Sequence, residues 1–197
     1  MDASGKLLKQ LQQMYKLRAD FFKRKWKRVL PLNEMIIDRW EKAEYLEFGK
    51  NTSIYDTSLV FGDVRLGQDT WIGPFTILDG SGGLLMGSYC SISAGVQIYT
   101  HDTVYWALSG GKQKYTYAPV NIGDCCYIGA NTIITKGVSI GSHCMIGANS
   151  FVNNDLPNFS VAFGVPVGIV GKVVINRNKE AAIKYFKKPK ESKCLCF

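Results

Sequence analysis

From Ile54 onward an aliphatic or methionine side chain returns at every sixth position. The series runs Ile54, Val60, Leu66, Ile72 and Leu78; two extra residues then precede Met86, Ile92 and Ile98. It lapses after Ile98 and resumes in phase with Ile122, Ile128, Ile134, Ile140, Ile146 and Val152. Four places beyond these positions stand mostly small residues, among them Ser58, Thr70, Thr76, Gly82, Cys90, Cys126, Thr132, Cys144 and Ser150. A period of six is neither the 3.6 of an amphipathic helix nor the strict alternation of a strand that reverses at hairpins. It is the mark of short strands joined by tight turns and stacked as a β-helix. The spacing predicts a mainly β fold with three hexads, about 18 residues, per coil and parallel coils about 4.8 Å apart. Aliphatic side chains then fill a narrow prism, and glycines such as Gly73, Gly123, Gly129 and Gly147 serve its turns.

The repeat occupies residues 46–175, with an inserted loop at 99–119. Residues 1–45 read as a basic helical segment. Ser4 is placed to cap a helix carrying Leu7, Leu11, Met14, Phe22 and Trp26 at helical spacing, Pro31 ends it, and a second helix is expected over 34–45. Residues 176–197 are expected to form a C-terminal basic helix running into an unstructured tail.

Charge follows the same division. Residues 1–45 hold eleven Lys or Arg against six Asp or Glu, residues 172–197 eight against two, and the stretch between five against eight. Nucleic acid is not expected as a partner, because no finger, helix-turn-helix or aromatic RNA motif accompanies the basic ends. Phe21, Phe22, Trp26 and the cations of "KRKWKR" suit either a cap packed between subunits or peripheral contact with an anionic membrane. No apolar run is long enough to span a bilayer. The first residues lack a secretory pattern, so the expected compartment is the cytoplasm, with the inner face of the membrane as the alternative. The terminal "CLCF" fits a loose prenylation pattern and is read as coincidence. The six cysteines show no zinc-ligand spacing, and no metal is expected. Cys90, Cys126 and Cys144 fall in one column of the stack and are read as small buried residues.

The lapse in the repeat carries the candidate chemistry. It opens with His101 and Asp102 and holds Tyr105, Trp106, Tyr115 and Tyr117. Long irregular insertions on a rigid scaffold often carry function. Aromatic faces beside polar groups suit a sugar, whose ring has apolar faces and hydroxyl edges. Imidazole titrates near neutrality and can take the proton that an attacking hydroxyl must lose. Asp79, beside the two extra residues of the repeat, is placed to bind hydroxyls or to orient His101, and Asp102 is a second candidate partner for the imidazole. His143 lies at a turn and is read as structural or solvent-facing. With two histidines in all, the chain lacks the three zinc ligands of a γ-class carbonic anhydrase.

The stretches "IYTHD", "APVNIGDCCYIGANTIITKGVSIGSHCMIGANSFVNNDLP" and "FGVPVGIVGK" resemble the left-handed β-helix, hexapeptide-repeat acyltransferases, above all the acetyl-CoA-dependent sugar O-acetyltransferases. The resemblance covers roughly residues 48–175. It implies a left-handed parallel β-helix, a homotrimer with active sites between subunits, acetyl-CoA as co-substrate and direct transfer to a hydroxyl of a sugar or surface glycan, with His101 as general base. It places Tyr127, Gly129, Ala130, Ala148, Asn153, Asn154 and Lys172 against the cofactor, with a main-chain N–H near Ala130 facing the thioester oxygen. Trp106, Tyr115, Tyr117 and Asp79 are the acceptor-binding candidates. An Asn that binds the sugar in galactoside-type relatives has no counterpart in "WIGPFTILDGSGG". N-acetylation of a nucleotide-linked amino sugar and a non-catalytic trimeric scaffold are the alternatives.

Overall fold

A computed structural model describes residues 3–186 of the chain. Their centre is a parallel β-solenoid of three faces, most of whose rungs are two residues long. The first face stacks Ser53–Ile54, Trp71–Ile72, Ser91–Ile92, Tyr127–Ile128, Met145–Ile146 and Ser160–Phe163. The strands Leu59–Leu66 and Ile77–Met86 each run along the second face and turn onto the third. Gln97–Ile98, Ile133–Ile134 and Phe151–Val152 complete the second face, and Val120–Ile122 and Ser139–Ile140 the third.

Register explains why the hydrophobic beat survives its interruption. Tyr127 pairs with Met145, 18 positions on, whereas Ser91 pairs with Tyr127, 36 positions on. The excursion therefore adds the length of one coil, and the next rung falls in phase. Of the fourteen sixth-position residues all but Val60 are buried, and Val60 is partly so. Fully burying one such side chain is worth about 1.5–3 kcal/mol, so the column is the principal apolar support of the fold.

The residues four places beyond the beat divide into three columns, one per face, and Ser58, Thr76, Val96, Thr132 and Ser150 form the buried column that leads into the second face. On the first face Cys90, Cys126 and Cys144 lie on successive coils, and each thiol donates to a turn carbonyl on the next: Gly123, Gly141 and Pro157, at 3.3, 3.1 and 3.2 Å. The neighbouring thiols of Cys144 and Cys90, and then burial, push Cys126 far up, so it stays protonated. On the third face the column is aliphatic. Leu84 pairs with Val64 and Val120 and is buried. Gly82, assigned to this column by counting, lies in the two-residue expansion instead, because the extra residues precede Leu84 rather than follow it.

The ends depart further from expectation. Helix α1 runs Ala3–Trp26, so Ser4 lies inside it rather than capping it. The second helix is two, α2 (Leu32–Ile36) and α3 (Arg39–Tyr45), because Asp38 takes the N–H groups of Trp40 and Glu41 and starts a new helix. Ala43 of α3, with Phe48 after it, joins the core cluster at one end of the prism. The expected C-terminal helix is a strand. Ala181–Tyr185 pairs antiparallel with Gly168–Ile175, which pairs in turn with Ser160–Phe163, so the open edge of the first face recruits the chain. The tail after residue 186, including "CLCF", lies outside the described residues. Among those described, no helix is long and apolar enough to cross a membrane.

Candidate functional site

The excursion leaves the prism at the edge between the second and third faces. Its base is a short antiparallel pair, His101–Asp102 with Thr116–Tyr117, and helix α4 (Val104–Leu108) sits between. Leu78 pairs with Ile98, so Asp79 lies beside the rung that leads into Thr100 and His101. Asp79 is buried, and its Oδ2 stands 2.6 Å from His101 Nδ1. The same oxygen accepts the Thr100 N–H at 3.0 Å, while Oδ1 accepts the Ser81 N–H at 2.9 Å. Thr100 Oγ1 donates to the Asp79 carbonyl at 2.8 Å and accepts the Gly82 N–H at 2.7 Å. Gly82 is required here, since a Cβ would stand 2.4 Å from the Thr100 carbonyl oxygen.

Burial alone would raise the Asp79 carboxyl. Hydrogen bonds from Ser81, the Thr100 N–H and His101 outweigh it and hold the group down, at about 2. Asp79 is then a carboxylate at neutral pH and can only accept. His101 Nδ1 must carry the proton, and Nε2 is left with a free lone pair on a ring whose side chain is 32% exposed.

Asp102, the other carboxylate offered as the imidazole's partner, is engaged elsewhere. Its oxygens take Lys136 Nζ at 3.1 Å, Thr116 Oγ1 at 2.9 Å and the Val104 N–H at 3.1 Å. Successive residues of a strand face opposite ways, so Asp102 ties the excursion to the prism while His101 faces Asp79. The Val104 N–H, and after it Lys136, hold its carboxyl below the usual range.

The aromatic candidates gather beside the imidazole. Tyr117 stacks on His101 with ring centroids 5.7 Å apart, and Trp106 packs edge-on to Tyr115 at the same distance. Trp106, Tyr115 and Tyr117 line one groove with Lys112 and Lys114. His143 stands on a different edge, stacked on Phe159 at 5.0 Å.

The cofactor candidates are spread over the prism. Gly129, Ala130 and Ala148 share the edge between the first and second faces, where Asn149 N–H donates to the Ala130 carbonyl one coil below. Gly129 is needed there, because a Cβ would stand 2.4 Å from Ala148 N. Among the described residues, the N–H groups of Ala130 and Ala148 have no protein acceptor. They are two free donors on adjacent rungs, the type of group that holds an amide-rich arm or a polarised carbonyl oxygen. Tyr127 lies exposed on the first face beside them. Asn153 and Asn154 follow Val152 and so stand on the other edge, that of His101, while Lys172 sits on the antiparallel strand opposite Ser160. One chain therefore does not bring these seven residues together. Ser81, Thr100, Lys112, Lys114, Thr116 and Lys136 were not singled out from sequence. Register counting across the 20-residue coil from Leu78 to Ile98 is the signal that would have found Thr100.

The chain is similar in sequence and fold to known proteins. Residues 119–154 match the family model described as bacterial transferase hexapeptide (six repeats). A curated protein of Mycobacterium tuberculosis, described as a probable acetyltransferase, is 30% identical over 149 residues, 74% of this chain and 45% of the relative. The chain thus spans less than half the length of that relative. A solved maltose O-acetyltransferase from Clostridium difficile 630 is similar at 26% identity and a TM-score of 0.53, over 84% of this chain and 88% of the other. A variant of AntD, an N-acyltransferase from Bacillus cereus in complex with dTDP and coenzyme A, is similar at 25% identity and a TM-score of 0.54, over 64% and 87%. A hexapeptide-repeat acetyltransferase from Vibrio cholerae, complexed with acetyl coenzyme A, shares the fold at 23% identity and a TM-score of 0.57, over 81% and 87%.

Proposed function

We propose that this chain, which matches the hexapeptide-repeat transferase model over residues 119–154, moves an acetyl group from acetyl-CoA to a hydroxyl of a sugar or glycan. The observation that carries the reading is the buried Asp79 carboxylate on His101 Nδ1, which leaves Nε2 as a base beside an aromatic groove. Nε2 takes the proton as the acceptor oxygen bonds to the acyl carbon, and the imidazolium returns it to the departing thiolate. No enzyme nucleophile is needed, and Cys126 stays a thiol. The free Ala130 N–H stabilises the developing oxyanion.

Ala130 and His101 lie on different edges of one prism, so the reading includes a homotrimer in which each site draws on two subunits. Helix α1 supports contact with an anionic lipid surface. Leu7, Leu8 and Leu11 are exposed, and Lys9, Lys16 and Lys23 lie across the helix from them.

His101→Ala should lower turnover by about 10² to 10⁴ with coenzyme A affinity kept, read by thiol release and by calorimetry. Full activity in the variant would remove the base assignment. The likeness to AntD favours N-acyl transfer as a second reading, since an amine acceptor sheds its proton to the same Nε2. Mass spectrometry of products from paired hydroxyl and amino sugars separates the two. A scaffold without activity would show no coenzyme A binding.

A further inference from the structure

We propose that the groove on the excursion selects an acceptor bearing a phosphate or carboxylate, so that the substrate is an anionic saccharide rather than a neutral one. This rests on the acyl-transfer reading and deepens it.

The charge distribution carries the argument. Residues 46–171 hold only five cations against eight carboxylates. Two of those cations are spent on the chain's own acids, Arg65 on Asp63 at 2.9 Å and Lys136 on Asp102 at 3.1 Å. Two more, Lys112 and Lys114, line the aromatic groove, and among the described residues neither has a carboxylate partner. No Asp or Glu lines that groove. Of the three cations left without an ion pair, Lys50 stands by Glu44 and Glu47 at the far end of the prism, and the other two stand on the one insertion that carries the base.

The aromatic groups fit a sugar next to that charge. Trp106 and Tyr115 meet edge to face and offer flat apolar surfaces to a ring, while Tyr117 lines the groove and also stacks on His101. Gly111 keeps the Trp106 face open, since any Cβ at that position, already at φ +83°, would lie 3.5 Å from the indole nitrogen. A saccharide on these rings has one end at the imidazole and an anionic group within reach of the lysines. The phosphates of coenzyme A are not the intended anion. They lie a full pantetheine arm from the acyl carbon, whereas this groove adjoins the base through Tyr117.

The test is calorimetric binding of glucose, glucose 1-phosphate, UDP-glucose and glucuronate to the full chain, repeated with Lys112→Met/Lys114→Met. The anionic probes should bind about tenfold more tightly than glucose, as two exposed ion pairs allow, and the advantage should shrink with added salt. The double variant should abolish the difference and leave coenzyme A affinity unchanged. Phosphate-bearing probes alone, or glucuronate as well, identify the anion's source. Equal binding of glucose, no binding of any anionic probe, an unchanged double variant or a parallel loss of coenzyme A binding would each overturn the inference. None of those outcomes touches acetyl transfer itself, which thioester consumption reads separately.

Discussion

Asp79→Asn tests the centre of the site, because the amide keeps the size and removes the charge. Asp79 Oδ2 accepts from both His101 Nδ1 and the Thr100 N–H, and Oδ1 accepts from the Ser81 N–H. An Asn oxygen left facing His101 turns its NH₂ onto the Ser81 N–H, donor against donor. The flipped amide points NH₂ at His101, which must then bare Nδ1 and carry its proton on Nε2, the wrong tautomer for a base. The carboxyl's descent from 3.8 to about 2 corresponds to roughly 2 kcal/mol favouring the folded carboxylate. The variant should therefore melt about 4–8 °C lower, at roughly 2–4 °C per kcal/mol for a chain of this size. Turnover should fall by about 10² to 10⁴, from loss of the productive tautomer. A double-mutant cycle decides whether the effect passes through the imidazole. Asp79→Asn made on top of His101→Ala should cost turnover nothing further. Near-normal turnover in the single variant, or full additivity in the double, would refute the reasoning.

Two further outcomes follow from the same contacts. Asp79 is depressed in the folded chain, so its contribution is complete above about pH 4 and disappears as pH falls through about 2; the stability gap between the wild-type chain and Asp79→Asn, followed by circular dichroism, should close over that window, and a constant gap would count against the assignment. Lys136→Met removes the ion pair that ties Asp102 to the prism, so amide exchange over residues 101–117 should quicken while the melting temperature moves by less than about 2 °C, as expected for an exposed pair; unchanged protection would show that the pair does not hold the excursion.

The core was legible in the sequence because a stack imposes one side-chain requirement per rung. Ile54, Ile72, Ile92, Ile128 and Ile146 meet the same neighbours above and below, and a period of six is the direct trace. Leu84 escaped because two residues inserted within a coil shift the count without announcing on which side they fall. For residues 181–185 local composition favours a helix, whereas the decisive fact is the free edge beyond Ser160–Phe163, which only the assembled sheet exposes. The same limit explains the two carboxylates. Asp102 is next to His101 in sequence, but a strand turns neighbours to opposite faces. Asp79, 22 residues away, is brought to Nδ1 by the register of Leu78 on Ile98.

That register leaves the imidazole and the free N–H groups on different edges, and the separation yields the last prediction. The second face between them is one hexad, roughly 10–15 Å wide at strand spacing, whereas reacting atoms must come within about 3 Å. On the proposed reading, an acyl group held at Ala130 would be out of reach of its own chain's His101 and would meet another copy's. Ala130→Pro deletes the N–H, and the fold accepts it: Pro74 occupies the same turn two coils earlier, its carbonyl accepting from Gly95 as Ala130's accepts from Asn149. The variant alone should lose about 10² to 10³ in turnover, the usual cost of one oxyanion donor, and His101→Ala alone should be at least as impaired. Co-expressed in equal amounts, the two variants assemble at random, and a site between subunits finds an intact His101 beside an intact Ala130 about one time in four. Mixed assemblies should recover about a quarter of wild-type activity by that count, against almost none in either parent. Mixtures no more active than their parents would place both groups in the same chain's site, which the width of the second face does not allow, and the intersubunit reading would fall with that result.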